Sequence, residues 1–311
     1  MAVEFHVTVS DDGQRLDVYL ASKTALTRSQ INKLIKDAHI SLNGAAVNPG
    51  RKIRVGDIAA VDDLPRQEWQ LTPQEIKIEV TYEDKHLIVV DKPPGMPMYP
   101  GAGHMGGTLM NAIAWRTSTL ASIGGPLRPG VVHRIDKDTS GLVAIALDDA
   151  SYYGLVEQFK NRTIKRRYLA LIYGSMTTQQ GAITLPIGRS KSDRKKMSTV
   201  SNRHKPAVTR WQTLKQFKGA SLIEAVLSTG RTHQIRVHFS AVGHPVLGDK
   251  TYGLKTFITP AKIEVPRQML HAATLGFVHP ATGQYLEFES PPPADMQHIC
   301  SIVEALCYNT K

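Results

Sequence analysis

The chain has 311 residues, of which 41% are hydrophobic and 6% aromatic, and a chain of this length and composition can bury a sizeable core. No stretch reaches the roughly 18 consecutive apolar residues of a membrane span, and the opening MAVEFHVTVS lacks the basic and apolar regions of a secretory signal. These observations argue against a helical membrane protein and predict a cytoplasmic one.

The formal net charge of +11 is unevenly distributed along the chain. Residues 160–210, the basic block, hold 13 Lys and Arg against a single acidic residue, Asp193. Positive charge of this density favours a polyanionic partner. Nucleic acid is the first expectation, and an anionic membrane surface is the alternative.

Residues 13 to about 62 have the pattern of a small α+β unit. Apolar residues at helical spacing predict helices over residues 14–21 and 27–38. The dipeptide Asn43-Gly44 then marks a turn between short strands with alternating apolar and polar residues. The result is a helix pair followed by a small hairpin sheet.

The middle of this unit is basic. Residues 23–54 contain seven Lys and Arg and one acidic residue, Asp37. The segment RLDVYLASKTALTRSQINKLIKDAHISLNGAAVNPGRKIRVGD resembles the small RNA-binding module shared by a small-subunit ribosomal protein and the bacterial tyrosyl-tRNA synthetases. The resemblance implies that the unit contacts RNA, with Arg28 and Lys33 as candidate contact residues.

A second, larger domain is predicted after a linker. Residues 63–75 are polar, contain two prolines and show no period, which is typical of a linker. The expected domains are therefore residues 13–75, the small unit with its linker, and residues 76–311. Strands dominate the second domain, with a helix at residues 152–160 and another at the C-terminal end. This order predicts an α+β fold with a mixed, largely antiparallel sheet and packed helices.

The spacing of residues argues against a dinucleotide-binding loop and against a metal site. GAGHMG at residues 101–106 fits the glycine spacing of a dinucleotide-binding loop, but no carboxylate lies between Asp91 and Asp136 to bind a ribose. The twelve histidines show none of the usual metal-ligand spacings. The sequence therefore predicts no cofactor and no metal.

The segment HRIDKDTSG interrupts two apolar runs that we interpret as strands, and it places carboxylates there. Asp138 can accept backbone N–H bonds from the DTSG turn, which leaves Asp136 available for chemistry. The alternative is that these residues only cap a turn. A glycoside hydrolase would need two opposed carboxyl groups, and only Asp136 stands out.

The segment STGRTHQIRVHF predicts a helix preceded by a cation. Thr232 can cap this helix, and Ile235, Phe239 and Val242 make one apolar face. Arg231 then lies just before the positive end of the helix, which suits a carboxylate or a phosphate. The alternative is a surface arginine that balances a nearby acid.

Five stretches between residue 76 and about residue 295 resemble, in the same order, the RluA-type family of pseudouridine synthases. They are EDKHLIVVDKPPGMPM, GVVHRIDKDTSGLVAIA, KRRYLALIYG, HKPAVTRW and LSTGRTHQIRVHFSAVGHPVLGDKTYG. With the N-terminal module, the layout resembles the RluD and RluC branch, which acts on large-subunit (23S) ribosomal RNA. The resemblance implies an isomerase that converts specific uridines in RNA to pseudouridine without metal or cofactor, and a monomer.

The resemblance also implies roles for single residues. Asp136 matches the essential aspartate, which acts either as a nucleophile toward the sugar or as a base at its 2′ carbon. Tyr168 matches the tyrosine that stacks on the target uracil, and Arg231 is expected to keep Asp136 ionised. Arg134 is expected to enter the RNA as the target base swings out, and His133 to pack nearby.

The basic block is expected to bind phosphates. Its candidate contact residues are Lys165, Arg166, Arg189, Lys191, Arg194, Lys195 and Lys196. Three alternatives stay open: the same chemistry on a transfer RNA, a non-catalytic RNA-binding or ribosome-assembly factor that kept the fold, and a hydrolytic nucleosidase.

Overall fold

The computed structural model describes residues 2–24, 26, 28–62, 70–101, 104–193, 196–253 and 264–308. The chain divides into two compact units, Met1–Trp69 and Gln70–Lys311. Each unit combines helices with a sheet, which confirms the predicted α+β class. Across the described ranges, no helix is both long and apolar enough to cross a membrane. The domain boundary after residue 75 stays a prediction.

The N-terminal unit contains two helices and a four-stranded antiparallel sheet. Its elements are β1 (Val3–His6), α1 (Leu16–Lys23), α2 (Arg28–Lys36), β2 (Ile40–Leu42), β3 (Ala45–Ala46) and β4 (Ile58–Val61). The strand order is β1-β4-β2-β3. The sequence pattern predicts both helices and the hairpin. It does not predict β1, a short strand of four residues whose side chains are mostly exposed.

Local sequence explains how this unit forms. Leu16 and Ile31 are fully buried and anchor the apolar faces of α1 and α2 in a common core with the sheet. Between β2 and β3, Asn43 and Gly44 have φ of 53° and 75°. A two-residue type I′ hairpin needs positive φ at both positions, which Asn-Gly adopts readily. The predicted turn is confirmed.

The second unit contains one large sheet of nine strands and one small sheet of three strands. Its strands are β5 (Glu79–Glu83), β6 (Leu87–Lys92), β7 (Ser140–Ala146), β8 (Lys165–Tyr173), β9 (Gln180–Ile183), β10 (Ile187–Arg189), β11 (Met197–Ser198), β12 (His204–Lys205), β13 (Thr209–Phe217), β14 (Ala220–Leu227), β15 (Leu270–Val278) and β16 (Tyr285–Glu289). Its helices are α3 (Leu109–Arg116), α4 (Asp149–Asn161), α5 (Gln234–Ala241) and α6 (Ala294–Tyr308). The large sheet has the order β5-β6-β7-β15-β8-β14-β13-β9, with β16 on β15, while β10, β11 and β12 form a separate small sheet.

Among the described strands only β7 and β15 pair in parallel, so the large sheet is mixed and largely antiparallel, as predicted. Strand β7 is buried on both faces. Val143 and Ile145 pack with α3 and α5 on one face, and Leu142 and Ala144 pack with α4 on the other. This double burial explains why β7 has a continuous apolar sequence rather than an alternating one.

Two local predictions in this unit are wrong. The apolar residues before HRIDKDTSG are not a strand, since Val131 makes only an isolated bridge, with Ile145. Strand β7 pairs with β6 on one edge and with β15 at Ser140 and Gly141 on the other, where the Ala144 N–H then donates to the His133 side chain instead of to the backbone of a strand. The sequence also offers Asp149 or Ser151 as the N-cap of α4, but the N-cap is Asp148, whose side chain accepts the Ser151 N–H at 2.7 Å.

The helix predicted after Arg231 exists as α5, but it begins differently. Its N-cap is His233, which has a left-handed conformation with φ of 57°, and not Thr232. Ile235 and Phe239 are buried as predicted, whereas Val242 is exposed. Val242 is the C-cap of α5 and lies beyond its last helical residue, Ala241, so it does not share the buried face.

Gly141 allows the close approach of β7 and β15. Its φ is 109°, and an added Cβ would lie 2.3 Å from the backbone oxygen of Ala272. We expect Gly141→Ala to lower the free energy of unfolding by roughly 1–3 kcal/mol more than Gly283→Ala, because of this overlap. Gly283 is the matched control, since its φ is also positive, at 72°, and its Cβ would meet no atom within 4 Å. Equal losses in urea unfolding would contradict the prediction.

Candidate active site

A cavity of about 460 Å³ opens where the HRIDKDTSG loop, strand β8 and the start of α5 meet. Its lining includes six of the residues singled out from the sequence: His133, Arg134, Asp136, Arg166, Tyr168 and Arg231. These residues come from three separate stretches of the chain. The fold therefore brings the three predicted catalytic residues together with three of the predicted substrate-binding residues.

Asp136 lies in a turn just before β7. The neighbouring Ile135 is buried, and the Thr139 N–H donates to the backbone oxygen of Asp136 at 3.1 Å. The turn is thus closed by backbone groups, and the predicted role of the Asp138 side chain as its hydrogen-bond acceptor is wrong within the described contacts. The Asp136 side chain remains 17% exposed and lines the cavity.

Lys92, at the end of β6, supports this turn from inside the protein. It is fully buried, and its Nζ donates to the backbone oxygens of Pro93, Met96 and Lys137 at 2.8, 2.9 and 2.9 Å. Burial lowers the pKa of Lys92 to about 7, although the charge of Asp138 acts in the opposite direction. Because Lys137 follows Asp136 directly, Lys92 ties the Asp136 turn to the segment after β6.

The cation that pairs with Asp136 is Arg236, on the first turn of α5. Its Nη1 donates to Asp136 Oδ2 at 2.8 Å. On its other edge, Nε and Nη2 donate to the two carboxylate oxygens of Asp249 at 2.7 and 2.9 Å. The Asp249 side chain is fully buried. Burial by itself lowers the pKa of Arg236, but hydrogen bonding to Asp249 and the charges of both carboxylates raise it above its ordinary value.

The predicted ion pair between Arg231 and Asp136 is wrong. Arg231 lines the cavity, but its Nε donates to the backbone oxygen of Pro206 at 3.1 Å. The difference follows from the start of α5, because Arg231 lies before the left-handed His233 while Arg236 lies inside the helix on its buried face. The prediction gave the right residue type, an arginine, but the arginine that pairs with Asp136 lies five positions later in the chain.

Tyr168 and His133 form part of the cavity wall. Tyr168 lies on β8 and is buried, which raises the pKa of its hydroxyl. His133 Nε2 accepts the Ala144 N–H at 2.9 Å, and its ring lies 4.8 Å from that of Phe159. Burial and the nearby Arg166 charge lower the pKa of His133 to about 3. His133 is therefore neutral near pH 7, as its acceptor role requires.

Arg166 is a buried cation in the same wall. Its guanidinium lies 5.2 Å from the centre of the Phe159 ring. Its Nε is buried and has no hydrogen-bond partner among the described residues. A buried donor without a partner is costly, so Arg166 is suited to donate to a bound ligand. Arg134, by contrast, is exposed, and its Nη1 donates to Tyr99 Oη at 2.9 Å.

The other described candidate contact residues of the basic block lie outside the cavity lining, although Lys160 and Arg162 of the same block belong to it. Lys165 is exposed and its Nζ lies 2.7 Å from Glu287 Oε1. Arg189, Lys191 and Lys196 are exposed on β10 and on the described residues between β10 and β11, which we call the basic hairpin. Arg194 and Lys195 lie outside the described residues.

Arg28 and Lys33 belong to α2 of the N-terminal unit. Arg28 Nη2 donates to the buried Asp17 at 2.8 Å. Burial raises the pKa of Asp17, but hydrogen bonds from Arg15 and Arg28 outweigh it and lower that pKa to about 2. Arg28 thus also stabilises the fold of its unit, whereas Lys33 is exposed.

Sequence reasoning missed Arg236, Asp249 and Lys92. Arg236 occupies the same motif as Arg231, and its spacing from the buried Ile235 and Phe239 gives no local sign that it faces inward. Lys92 lies at the end of an apolar strand, and a buried lysine there is visible only when its three backbone acceptors are known. Asp249 could have been suspected from the GDKTYG segment that follows a buried Val-Leu pair.

Comparison with known proteins gives a consistent result. Residues 86–241 match the family model described as RNA pseudouridylate synthase, and residues 14–58 match the S4 domain. "Ribosomal large subunit pseudouridine synthase D" of Zymomonas mobilis is 44% identical over 94% of this chain and 95% of that protein. "Uncharacterized RNA pseudouridine synthase YlyB" of Bacillus subtilis is 41% identical over 95% and 97% of the two chains. The structure "Human RNA Pseudouridylate Synthase Domain Containing 1" has a TM-score of 0.57 and 28% identity, covering 71% of this chain and 85% of the other.

Removing Arg236 leaves the buried Asp249 without its charged partner. We therefore expect Arg236→Met to lower the free energy of unfolding by about 3–5 kcal/mol, measured by urea unfolding. Arg231→Met is the control, and we expect a loss of about 1 kcal/mol or less because Arg231 is partly exposed and bonded to one carbonyl.

A double variant separates the charge from the packing. Adding Asp249→Leu to Arg236→Met removes the unpaired carboxylate, so the pair should be more stable than Arg236→Met alone. A double variant that is less stable than Arg236→Met would show that the buried charge is not the main cost.

Proposed function

The chain belongs to the RNA pseudouridylate synthase family, and we propose that it isomerises specific uridines of large-subunit ribosomal RNA to pseudouridine with Asp136 as the essential carboxylate. The choice of RNA is supported by relatives named ribosomal large subunit pseudouridine synthase D, which are 44% and 37% identical over 94% of this chain. The matched S4 domain lies within the same aligned length. A ribosomal RNA substrate would place the protein in the cytoplasm.

The observation that carries this proposal is the setting of Asp136. Its Oδ2 accepts a hydrogen bond from Arg236 Nη1, and its Oδ1 lies 3.7 Å from His233 Nε2. The bond from Arg236 is charge-assisted and is therefore a strong hold on Oδ2. One oxygen is thus held by the protein while the carboxylate lines the cavity.

Pseudouridine formation is an isomerisation, which a single carboxylate can support. The N1–C1′ bond breaks, the base turns, the C5–C1′ bond forms, and the proton on C5 is lost while N1 gains one. No water is added, so the second carboxyl group of a glycoside hydrolase is not needed. The ionised Asp136 serves either as the nucleophile at C1′ or as the base that removes the proton from C2′, and either role needs an accessible carboxylate oxygen.

Two further residues fit the handling of the target base. Tyr168 presents its ring in the cavity wall, where a flipped uracil can stack. Arg134 is exposed, and its guanidinium lies 5.6 Å from the Tyr99 ring. Flipping a base costs a few kcal/mol of stacking, and an exposed, planar guanidinium can occupy the space that the base leaves.

The N-terminal unit would bind a neighbouring part of the RNA. Lys33 is exposed on α2, and Arg28 keeps 55% of its side chain exposed while it is bonded to Asp17. A second RNA contact raises the effective concentration of the substrate at the catalytic unit. We therefore assign this unit to affinity and not to chemistry.

Asp136→Asn tests the catalytic assignment. It removes the ionised oxygen but keeps the side-chain shape, so we expect the rate of pseudouridine formation to fall by roughly 10³-fold or more. The measurement is chemical mapping of pseudouridine in ribosomal RNA from cells with the wild type, a deletion, Asp136→Asn or Asp138→Asn. Asp138→Asn is the matched control, and its rate should fall by less than about 10-fold.

The same mapping decides between the alternatives. Loss of specific large-subunit sites in the deletion and in Asp136→Asn supports the proposal. Loss of transfer RNA sites alone would move the substrate to transfer RNA, and release of free uracil would indicate a nucleosidase. Full modification in Asp136→Asn cells would leave a non-catalytic RNA-binding role.

Arg166 and Lys165 give a test of the phosphate contacts. Arg166 has a buried Nε without a partner at the cavity, while Lys165 is paired with Glu287 outside it. We expect Arg166→Met to weaken RNA binding several-fold and to lower the slope of log Kd against log salt by about 1. Lys165→Met should change Kd by less than about 2-fold. Equal effects of the two variants in a salt titration would contradict the assignment.

A further inference from the structure

A series of contacts runs from Asp136 through His233 and Tyr252 to Met197, which directly follows the basic hairpin. His233 Nε2 lies 3.7 Å from Asp136 Oδ1, and His233 Nδ1 lies 2.8 Å from Tyr252 Oη. Tyr252 Oη also accepts the backbone N–H of Met197 at 2.8 Å, where β11 begins. His233 therefore lies beside Asp136 Oδ1, whereas Arg236 binds Asp136 Oδ2.

The hydrogen-bond directions follow from the chemistry of each group. The Met197 N–H can only donate, so the Tyr252 hydroxyl accepts from it and keeps its own hydrogen for His233 Nδ1. Burial lowers the pKa of His233, which makes the neutral ring the relevant form near pH 7. A neutral ring that accepts at Nδ1 carries its hydrogen on Nε2. Nε2 is the ring nitrogen that lies 3.7 Å from Asp136 Oδ1.

Tyr252 is itself held by the buried ion pair. Its backbone N–H donates to Asp249 Oδ1 at 3.0 Å, and the Arg236 guanidinium lies 5.1 Å from the centre of its ring. The rings of Tyr252 and His233 meet edge to face at 5.6 Å. The orientation of His233 therefore depends on the same elements that hold Arg236.

We propose that His233 is a positioning residue that holds Asp136 Oδ1 through its Nε2–H, and that Tyr252 fixes the tautomer and orientation of the His233 ring. Arg236 and His233 then hold the two oxygens of Asp136 from two sides, which stops rotation of the carboxylate. The 3.7 Å separation is longer than a hydrogen bond, and such contacts tighten in the substrate complex. This inference rests on the proposed function.

Two conservative replacements of His233 separate positioning from a structural role. His233→Gln can place an amide N–H near the position of Nε2. The shorter side chain of His233→Asn reaches only the position of Nδ1, where its oxygen can accept from Tyr252. His233 has a φ of 57°, a conformation that Asn adopts more readily than Gln. A structural role therefore favours Asn, and a positioning role favours Gln.

The rates are measured as single turnovers with saturating transcribed large-subunit ribosomal RNA, well below the melting temperature of either variant. We expect the rate constant of His233→Asn to be about 10-fold or more below that of His233→Gln, with Kd for the RNA alike in both. A His233→Asn rate equal to or above that of His233→Gln would overturn the proposal.

Tyr252→Phe tests the second part of the proposal. We expect it to lower the single-turnover rate about 10-fold with little change in Kd, and to have no further effect when combined with His233→Asn. Tyr285→Phe is the matched control, because Tyr285 is exposed and its hydroxyl donates to Glu287 outside the cavity. Effects of Tyr252→Phe and His233→Asn that multiply in the double variant would show that Tyr252 does not act through His233.

The same assay distinguishes failure of the inference from failure of the proposed function. If the wild type forms no pseudouridine in this RNA, or if Asp136→Asn remains fully active, the proposed function fails and the inference fails with it. If the wild type is active, Asp136→Asn is inactive and the His233 variants show the structural order of rates, only the inference fails.

Discussion

Arg236 lies between Asp249, which is fully buried, and Asp136, which lines the cavity. Moving a guanidinium out of water costs free energy unless its charge is paired and hydrogen-bonded. Three N–H groups of Arg236 donate to carboxylate oxygens and supply this pairing. The pairing can form only if α5, the segment after it and the turn before β7 converge. The position of Asp136 is therefore a consequence of the way in which the second unit closes around one buried cation.

The turn that carries Asp136 has a second support in Lys92. Three backbone oxygens surround its Nζ, and one of them belongs to Lys137. Gly141 then lets β7 approach β15 directly after the turn. Backbone contacts thus set the position of the turn, while Arg236 orients the side chain of Asp136. This division leaves the carboxylate accessible without leaving it free to move.

The positive charge of the basic block has three different structural uses. Lys165 and Arg167 pair with glutamates on β14 and β16, so they are partly neutralised and stabilise the sheet only modestly. Arg166 is directed into the cavity wall, and the basic hairpin presents exposed cations such as Lys191 and Lys196. The net charge of a segment therefore overstates the number of its residues that can bind a polyanion.

The sequence alone determined the α+β class, the Asn43-Gly44 hairpin, most of the helices and the buried central strands, because periodicity and turn chemistry are local. Through its motifs it also indicated the family and singled out Asp136 and Tyr168, which the fold then placed in one cavity. Only the tertiary structure decided which arginine pairs with Asp136, since the choice depends on where α5 begins and on a contact between residues 100 positions apart. The role of Lys92 was equally hidden, because a buried charge is recognised by partners that are distant in sequence and near in space.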